Sequence, residues 1–308
     1  MDESVDLIEI PSVLDRIAAI VLNGVRSDAS RRAYRHAVAD FFAWHAGKGR
    51  TGLNKAVVQE YRAELEKRGL APSSINLRLS VVRKLAAEAA DNGLLAPELA
   101  AGILRVKGAR GSGVRTGYWL TRDQAEALIC RPDQATNKGK RDRAILALLI
   151  GCGLRRRELA LLRFEDIEQR DGRWVVADLI GKGQRIRTVP MPAWAKKAVD
   201  EWAAAAGLSS GFVIRPVNKA DRVTGDRMTA QAVFNIVRGY GIDLRLKIAP
   251  HDLRRTFAKL AHKGHAALEQ IQLTLGHSSI STTERYLGVR QNLADAPCDH
   301  LGLNIAEL

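Results

Sequence analysis

Cysteine is scarce in this chain. Cys130, Cys152 and Cys298 stand far apart and are odd in number. That excludes a disulfide framework and a Cys-type zinc site, and fits free thiols in a reducing cytosol. Cys152, between two glycines, reads as a small packing residue. Long apolar runs are missing too: no stretch of about 18 uninterrupted apolar residues occurs, so no membrane span is expected. The opening "MDESVDLIEIPSVLDR" is acidic and has no basic region followed by a long apolar one, so no secretory signal is expected. Internal repeats and low-complexity tracts are also lacking. These absences point to a cytoplasmic protein. Its 308 residues, 46% of them hydrophobic, suffice for about two domains with proper cores.

Acidic residues are outnumbered: 34 Asp and Glu stand against 48 Lys and Arg, a net charge of +14. Up to Arg110 the chain has 17 basic and 13 acidic residues, and from Gly111 onward 31 and 21. A basic surface of this size favours a polyanion, because each neutralised phosphate releases condensed counterions. Nucleic acid is the leading partner. An acidic membrane is a poor second, since no single basic amphipathic helix dominates.

The first hundred residues have helical periodicity. "SVLDRIAAIVLNGV" runs toward Gly24, "SRRAYRHAVADFFAWHA" stops at "GKG", and "NKAVVQEYRAELEKRG" closes at Gly69. "APSSINLRLSVVRKLAAEAADNG" is a further helix, with Ser73 or Ser74 expected as its N-cap and Gly93 past its end. "VKGARGSGVRTGYW", Val106 to Trp119, is the best linker in the chain. It divides the sequence into a helical unit (1–107), a linker (108–118) and a mixed unit with a C-terminal tail (119–308). The second unit opens at "LTRDQAEALI", where Thr121 and Gln124 have capping-box spacing. The apolar helix "RDRAILALLIGCGL" stops at Gly151–Gly153 and "RRRELALL" restarts one. In "GRWVVADLIGKGQRIRTVPM" two β-branched runs flank "GKGQ", the pattern of a hairpin. Helical patterns resume at "PAWAKKAVDEWAAAAG", "TAQAVFNIVRGYG", "PHDLRRTFAKLAHKG" and "ALEQIQLTLGH". The fold expected is mainly α with a small β-sheet or hairpin.

Several polar residues in the second unit stand where packing does not require them. Three arginines, Arg155 to Arg157, follow the double-glycine turn; such a run is ordinarily a solvated face. Lys182 sits at the hairpin tip, where lysines are often merely solvated. His251 and Arg254 are three apart and share a helix face. His277 follows a glycine at a helix end, where it would complement the dipole. Tyr286 lies in "SISTTERY", where Ser281 and Glu284 have capping-box spacing, so it is expected early on a short helix. A lone Tyr is usually a half-buried packing residue. Each has this plain explanation singly. Together they form one chemical set of arginines, a lysine, two histidines and a tyrosine, with no carboxylate cluster beside them. Phosphoryl transfer needs that set: guanidinium forks suit non-bridging phosphate oxygens and stay protonated. Two-metal nucleases reach the same end with carboxylate-held cations. A phenol nucleophile would conserve bond energy in a phosphotyrosyl ester, so that neither ATP nor metal is needed. In this scheme one of Arg155 to Arg157, among which helix geometry does not choose, clamps the phosphate with Arg254, and Lys182 protonates the departing 5′-hydroxyl. His251 helps deprotonate Tyr286 or orients the phosphate, and His277 donates a hydrogen bond to it.

"GCGLRRREL", "GKGQRIRTVP", "HDLRRTFA" and "LGHSSISTTERY" resemble the four motif blocks of the tyrosine recombinases, the phage-integrase family with its Xer-like members. The order and spacing are family-like from Gly151 to Tyr286. The helical unit resembles the family's core-binding, SAM-like domain. Residue by residue, the resemblance implies catalytic roles for Arg155, Lys182, His251, Arg254, His277 and Tyr286, and a supporting role for Glu158. It implies a two-domain, C-shaped clamp around duplex DNA, with a mixed α/β catalytic domain. It implies inverted-repeat sites with a dimer on each, and a homotetramer on two sites, or assembly with a related recombinase. Protomers would be linked through C-terminal tails, here "NLADAPCDHLGLNIAEL". It implies no cofactor, no metal, and a place in the cytoplasm at the nucleoid. Two departures leave these roles in place: Cys152 stands where the family often has Thr, and Arg255 where a second His is frequent.

Three other readings compete with a site-specific recombinase. A type IB topoisomerase uses similar groups, but a separate helical domain and a short tail after Tyr286 favour recombination. A catalytically silent DNA-binding protein of the same fold would be expected to have lost Tyr286 or an arginine. A zinc site at His262 and His265 is weak, because no cysteine is near.

Overall fold

The computed structural model describes residues 10–25, 27–49, 52–110, 118–181 and 185–287, without the side chains of 10–15, 29, 285 and 286. The chain divides into two compact units, Met1–Val114 and Arg115–Leu308. Among the described residues no helix is long and apolar enough to cross a membrane.

The first unit is helical: α1 (Ile10–Asn23), α2 (Asp28–Gly47), α3 (Lys55–Lys67), α4 (Pro72–Asp91) and α5 (Pro97–Leu104). Ser27 and Asn54 cap α2 and α3, their side chains accepting from the amides of Ser30 and Val57, as short polar residues at these positions do. The start of α4 corrects the sequence expectation. The helix begins at Pro72 with Ala71 as cap, and Ser73 and Ser74 lie inside its first turn. Proline at the first helical position has its φ preset and no N–H to leave unpaired, so no side-chain cap is needed. The core of this unit joins α1 to α5 through Ile17, Val38, Val58, Leu65, Leu79, Val82 and Ile103. The Tyr61 ring meets Phe41 edge-on, 5.0 Å between centroids. The Tyr61 hydroxyl donates to Asp40 Oδ2 at 2.6 Å, and Arg68 and Arg78 also bind that carboxylate. A buried phenol thus keeps a partner.

In the second unit come α6 (Arg122–Cys130), α7 (Asn137–Gly151), α8 (Arg156–Leu161) and a 3₁₀ turn (Phe164–Asp166). The strands β1 (Ile167–Arg170), β2 (Arg173–Ile180) and β3 (Ile186–Pro190) follow. The unit closes with α9 (Ala193–Ala206), α10 (Ala230–Asp243), α11 (Pro250–Lys263), α12 (Leu268–Leu275) and α13 (Ile280–Leu287). The expected capping box of α6 is present: Gln124 N donates to Thr121 Oγ1, and Thr121 N to Gln124 Oε1. Helix α7 is buried on every side from Ala144 to Ile150, the mark of a central core helix. It packs against α6, α9 and α11. The expected hairpin is β2–β3, antiparallel with Val176 opposite Val189 and Ile180 opposite Ile186. The sheet has a third strand, in the order β1-β2-β3. The sequence signal for β1 is the "DG" pair: Asp171 and Gly172 both have positive φ, as a two-residue hairpin turn requires.

Candidate active site

The turn at "GCGLRRREL" sets the first part of the site. Gly153 has φ of 58°, and a Cβ there would stand 2.9 Å from the Phe257 ring and 3.0 Å from a Leu275 methyl, so both backbone and space demand glycine. Cys152 is fully buried and its thiol is pushed up to about 12 by desolvation, which leaves it a packing residue. Beyond the turn, Arg155 stands at the head of α8. Its amide donates to Glu158 Oε2 at 2.8 Å, and its Nη1 to Glu158 Oε1 at 2.6 Å. Arg156 and Arg157 are exposed, and Arg156 lies over the Phe234 ring at 5.5 Å. The structure therefore separates three arginines that spacing leaves equivalent.

Glu158 has a second cation that the sequence reading missed. Arg187 on β3 donates to it through Nη1 at 3.1 Å and Nη2 at 2.9 Å, and its Nε donates to the Thr274 carbonyl at 2.8 Å. Burial alone would raise the Glu158 pKa. The Arg187 hydrogen bonds, the Arg155 amide and the two guanidinium charges outweigh it and hold the group below the usual glutamate range. A charge-assisted, bidentate pair of this kind fixes geometry as well as charge. Arg187 thus ties the Arg155 block to the end of α12.

Helix α11 carries His251 and Arg254 on its first turns, as their spacing predicts. Pro250 opens the helix, and Asp252 Oδ2 accepts from the Ala249 amide at 3.0 Å. Arg254 is 1% exposed. Its Nη1 donates to the Gly153 carbonyl at 2.6 Å and its Nη2 to the Leu275 carbonyl. Arg155 Nη2 reaches the same Leu275 oxygen at 3.4 Å. Two guanidiniums from separate helices therefore converge on one acceptor. His251 lies at the exposed rim, and desolvation, then Arg255 and Arg254, lower its pKa against the opposing charge of Asp252.

His277 completes the group. Helix α12 ends at Leu275, and Gly276 takes the left-handed cap conformation. A Cβ on Gly276 would stand 2.9 Å from Arg187 Cδ. The His277 amide returns to the Gln272 carbonyl at 3.2 Å, and its Nδ1 lies 2.9 Å from Thr283 Oγ1 on α13. Desolvation, then the charges of Arg254, Arg155, His251 and Arg187, push its pKa down to about 4. The ring is neutral at pH 7. If Thr283 donates to Nδ1, the proton sits on Nε2 and can be given to a phosphate oxygen.

This depression sets a pH dependence. The unfolded chain takes up a proton near pH 6.5, and the folded site resists it until about pH 4. The stability from neutral His277 is complete above the unfolded value and declines as pH falls toward the folded one; His251 shifts in the same direction. Melting temperature of the DNA-free protein should fall between pH 6.5 and 5, and less steeply in His277→Gln. Parallel curves for the two proteins would show that the site tolerates a charged His277.

Two expected residues are only partly within view. Lys182 falls at 182–184, outside the described residues, as do Cys298 and the tail from Asn292. The neck of its hairpin is described: Gly181 N donates to the Arg185 carbonyl at 2.8 Å. A Cβ on Gly181 would lie 2.9 Å from Arg187 Nη1 and 3.5 Å from Arg155 Nη1. Gly181, the residue before Lys182, thus stands beside the clustered guanidiniums. The Tyr286 side chain is likewise outside the described part, but its backbone belongs to α13. Here the structure corrects the sequence twice: Ser281 lies inside the helix, and Tyr286 is its seventh residue, beyond the first turn. Ser279 does the capping, its Oγ accepting from the Ser281 amide at 3.2 Å. Helix α13 packs on α11 and α12 of its own chain. Thr283 is fully buried, and Leu287 joins Ala258, Ile271 and Leu275 in a small apolar cluster. Among the described residues no group of three or more His, Cys, Asp or Glu is placed to hold a metal ion.

Comparison with known proteins shows the family of the chain. The pattern described as "Phage integrase family" matches residues 118–292, and "Phage integrase, N-terminal SAM-like domain" matches 17–93. A tyrosine recombinase XerC of Xylella fastidiosa (strain M23) is 30% identical over 258 residues, covering 82% of this chain and 84% of that protein. A XerC of Pelobacter propionicus is 38% identical over 177 residues, 57% of this chain and 56% of that protein. In fold, the chain is similar to the Tn1549 transposon integrase (residues 82–397) solved with circular intermediate DNA. The TM-score is 0.68 at 15% identity, over 93% of this chain and 98% of that one. The same C-terminal stretch that gathers Arg155, Arg254 and His277 carries the family match over more than half of the sequence, and the chain belongs to the phage integrase family.

Proposed function

We propose that this protein is a site-specific DNA recombinase that cuts and rejoins duplex DNA through a 3′-phosphotyrosyl intermediate, without metal or ATP. The observation that carries the reading is the meeting of Arg155 and Arg254 at the Leu275 carbonyl, with His277 two residues further on. Two guanidiniums thus meet at one point, and their charges reach the His277 ring. Arg155 and Arg254 clamp the non-bridging oxygens of the scissile phosphate, and neutral His277 donates a hydrogen bond to one of them. The Tyr286 oxygen forms a bond to phosphorus as the bond to the 5′-oxygen breaks. The phenol proton leaves with help from His251, and Lys182 gives a proton to the departing 5′-hydroxyl. Attack of a 5′-hydroxyl on the phosphotyrosyl ester reverses the step and joins a new partner. Glu158 and Arg187 hold the Arg155 side of the clamp.

In the same reading, residues 1–107 form the core-binding domain, 108–118 the linker and 119–308 the catalytic domain, closing on duplex DNA as a clamp. The DNA would carry inverted-repeat sites, each bound by a dimer, with a tetramer or a related recombinase completing synapsis at the nucleoid. The exposed side of α10, with Gln231, Asn235 and Arg238, is a candidate for the major groove. The DNA-bound recombinases of like fold support DNA as the partner.

The test is cleavage of a nicked suicide duplex in excess EDTA. A covalent protein–DNA adduct should accumulate at the same rate with and without the chelator, because guanidiniums take the place of cations at the phosphate. Loss of the adduct in EDTA, restored by magnesium, would overturn the arginine clamp.

A further inference from the structure

We infer that Lys259, seated on the Trp119 ring and hydrogen-bonded to the Leu287 carbonyl, positions the helix that bears Tyr286. The inference rests on reading Tyr286 as the nucleophile. Lys259 lies on α11, five residues beyond Arg254, which is about 7.5 Å along the helix axis. Its ammonium sits 4.4 Å from the Trp119 ring centroid, a cation–π distance. The same Nζ donates to the carbonyl oxygen of Leu287, the last described residue of α13. That oxygen belongs to the residue after Tyr286, so the contact reaches the nucleophile's own stretch of helix. Lys259 therefore ties α11 and the Trp119 ring to the backbone next to Tyr286.

The placement is not what a solvated lysine would choose. Arg255 and Lys263 share its helix face at four-residue spacing, and desolvation, then Lys263 and Arg255, lowers its pKa. The aromatic face and the carbonyl offset that repulsion. Helix α13 is thus gripped at two places. Thr283 is buried and bonded to His277. Four residues on, the Leu287 side chain enters the apolar cluster while its carbonyl meets Lys259. Tyr286 lies between these grips. Because α11 also carries His251 and Arg254, one helix contacts both the phosphate clamp and the backbone next to Tyr286. Lys259 touches neither phosphate nor phenol in this account, so it is a positioning residue.

The experiment uses the full-length protein with three variants. Lys259→Met keeps most of the side-chain length and removes the charge and donor. Lys259→Arg restores both. Trp119→Leu removes the aromatic seat while leaving Lys259 in place. Hydrogen exchange of the 280–287 peptide should quicken about tenfold in Lys259→Met and return to within about twofold of wild type in Lys259→Arg. On a nicked suicide duplex, single-turnover adduct formation should slow about fivefold to tenfold in Lys259→Met, with Kd for the duplex within about twofold. Trp119→Leu should shift exchange and cleavage in the same direction, which keeps the test alive if Lys259→Met folds poorly. Wild-type exchange and cleavage in both Lys259→Met and Trp119→Leu would overturn the inference. So would faster exchange with unchanged cleavage, or an arginine variant that behaves like methionine. Failure of the nucleophile reading would appear separately, as an adduct that persists in Tyr286→Phe, and would leave the exchange result standing.

Discussion

Tyr286→Phe is expected to bind a cognate duplex as tightly as wild type, within about twofold, and to leave no covalent adduct on a nicked suicide substrate. The two halves of this result have different causes. Binding of a duplex by a chain of net charge +14 rests on phosphate contacts spread over the surface, and one phenol oxygen adds little to them. Cleavage needs a nucleophile, and phenylalanine has no oxygen with which to form the ester. The variant should also fold, because α13 is docked through Thr283 and through the side chain and carbonyl of Leu287, none of which involves the Tyr286 hydroxyl. Since that docking is onto α11 and α12 of the same chain, the nucleophile should act within its own protomer. A mixture of Tyr286→Phe with a variant lacking Arg155 should therefore form no adduct, whereas recovery in the mixture would mean that neighbouring protomers exchange α13. An adduct in Tyr286→Phe alone would place the nucleophile elsewhere.

Much of this arrangement can be read from spacing, and its limits are instructive. His251 and Arg254 needed only helical geometry, and the Thr121–Gln124 capping box only local hydrogen bonding. Both are decided within four residues. Arg187 is different. Its partners Glu158 and Thr274 lie 29 and 87 residues away, and in "GKGQRIRTVP" it looks like one more solvated basic residue. A signal was present nonetheless. On a strand, Arg187 shares a face with Val189, which is fully buried, and it pairs across the sheet with Leu179, also buried. An arginine on the inward face of a strand calls for a carboxylate, and Glu158, just beyond the turn at Gly153, is a buried one. The errors at Ser73, Ser74 and Ser281 have one cause. Serine caps well, but Pro72 at one helix start and Ser279 at the other were already in place to do that work. A short polar run therefore fixes a helix start only to within about two residues.

Arg254→Gln should be damaging in two ways that can be measured apart. The guanidinium is 1% exposed and donates to the carbonyls of Gly153 and Leu275. Truncation leaves at least one of those buried oxygens without its donor, at about 1–3 kcal/mol each. The melting temperature should fall accordingly, and more than for Arg155→Gln, whose side chain is 31% exposed. Cleavage should fall further than stability explains. Two of the five guanidinium donors are engaged with carbonyls, leaving at most three for a phosphate, and the charge itself sits in a site that burial makes less screened. Removing it should lower the single-turnover rate by about 10²–10³-fold, the scale seen when one preorganised donor to a developing charge is deleted. Arg254→Lys separates the contributions. It keeps the charge but not the fork, so it cannot reach both carbonyls and the phosphate together. It should recover part of the rate while remaining less stable than wild type. If Arg254→Lys instead matched wild type in both melting temperature and rate, the fork geometry would be irrelevant. Arg254 would then be a point charge, and the convergence on Leu275 would be a packing detail.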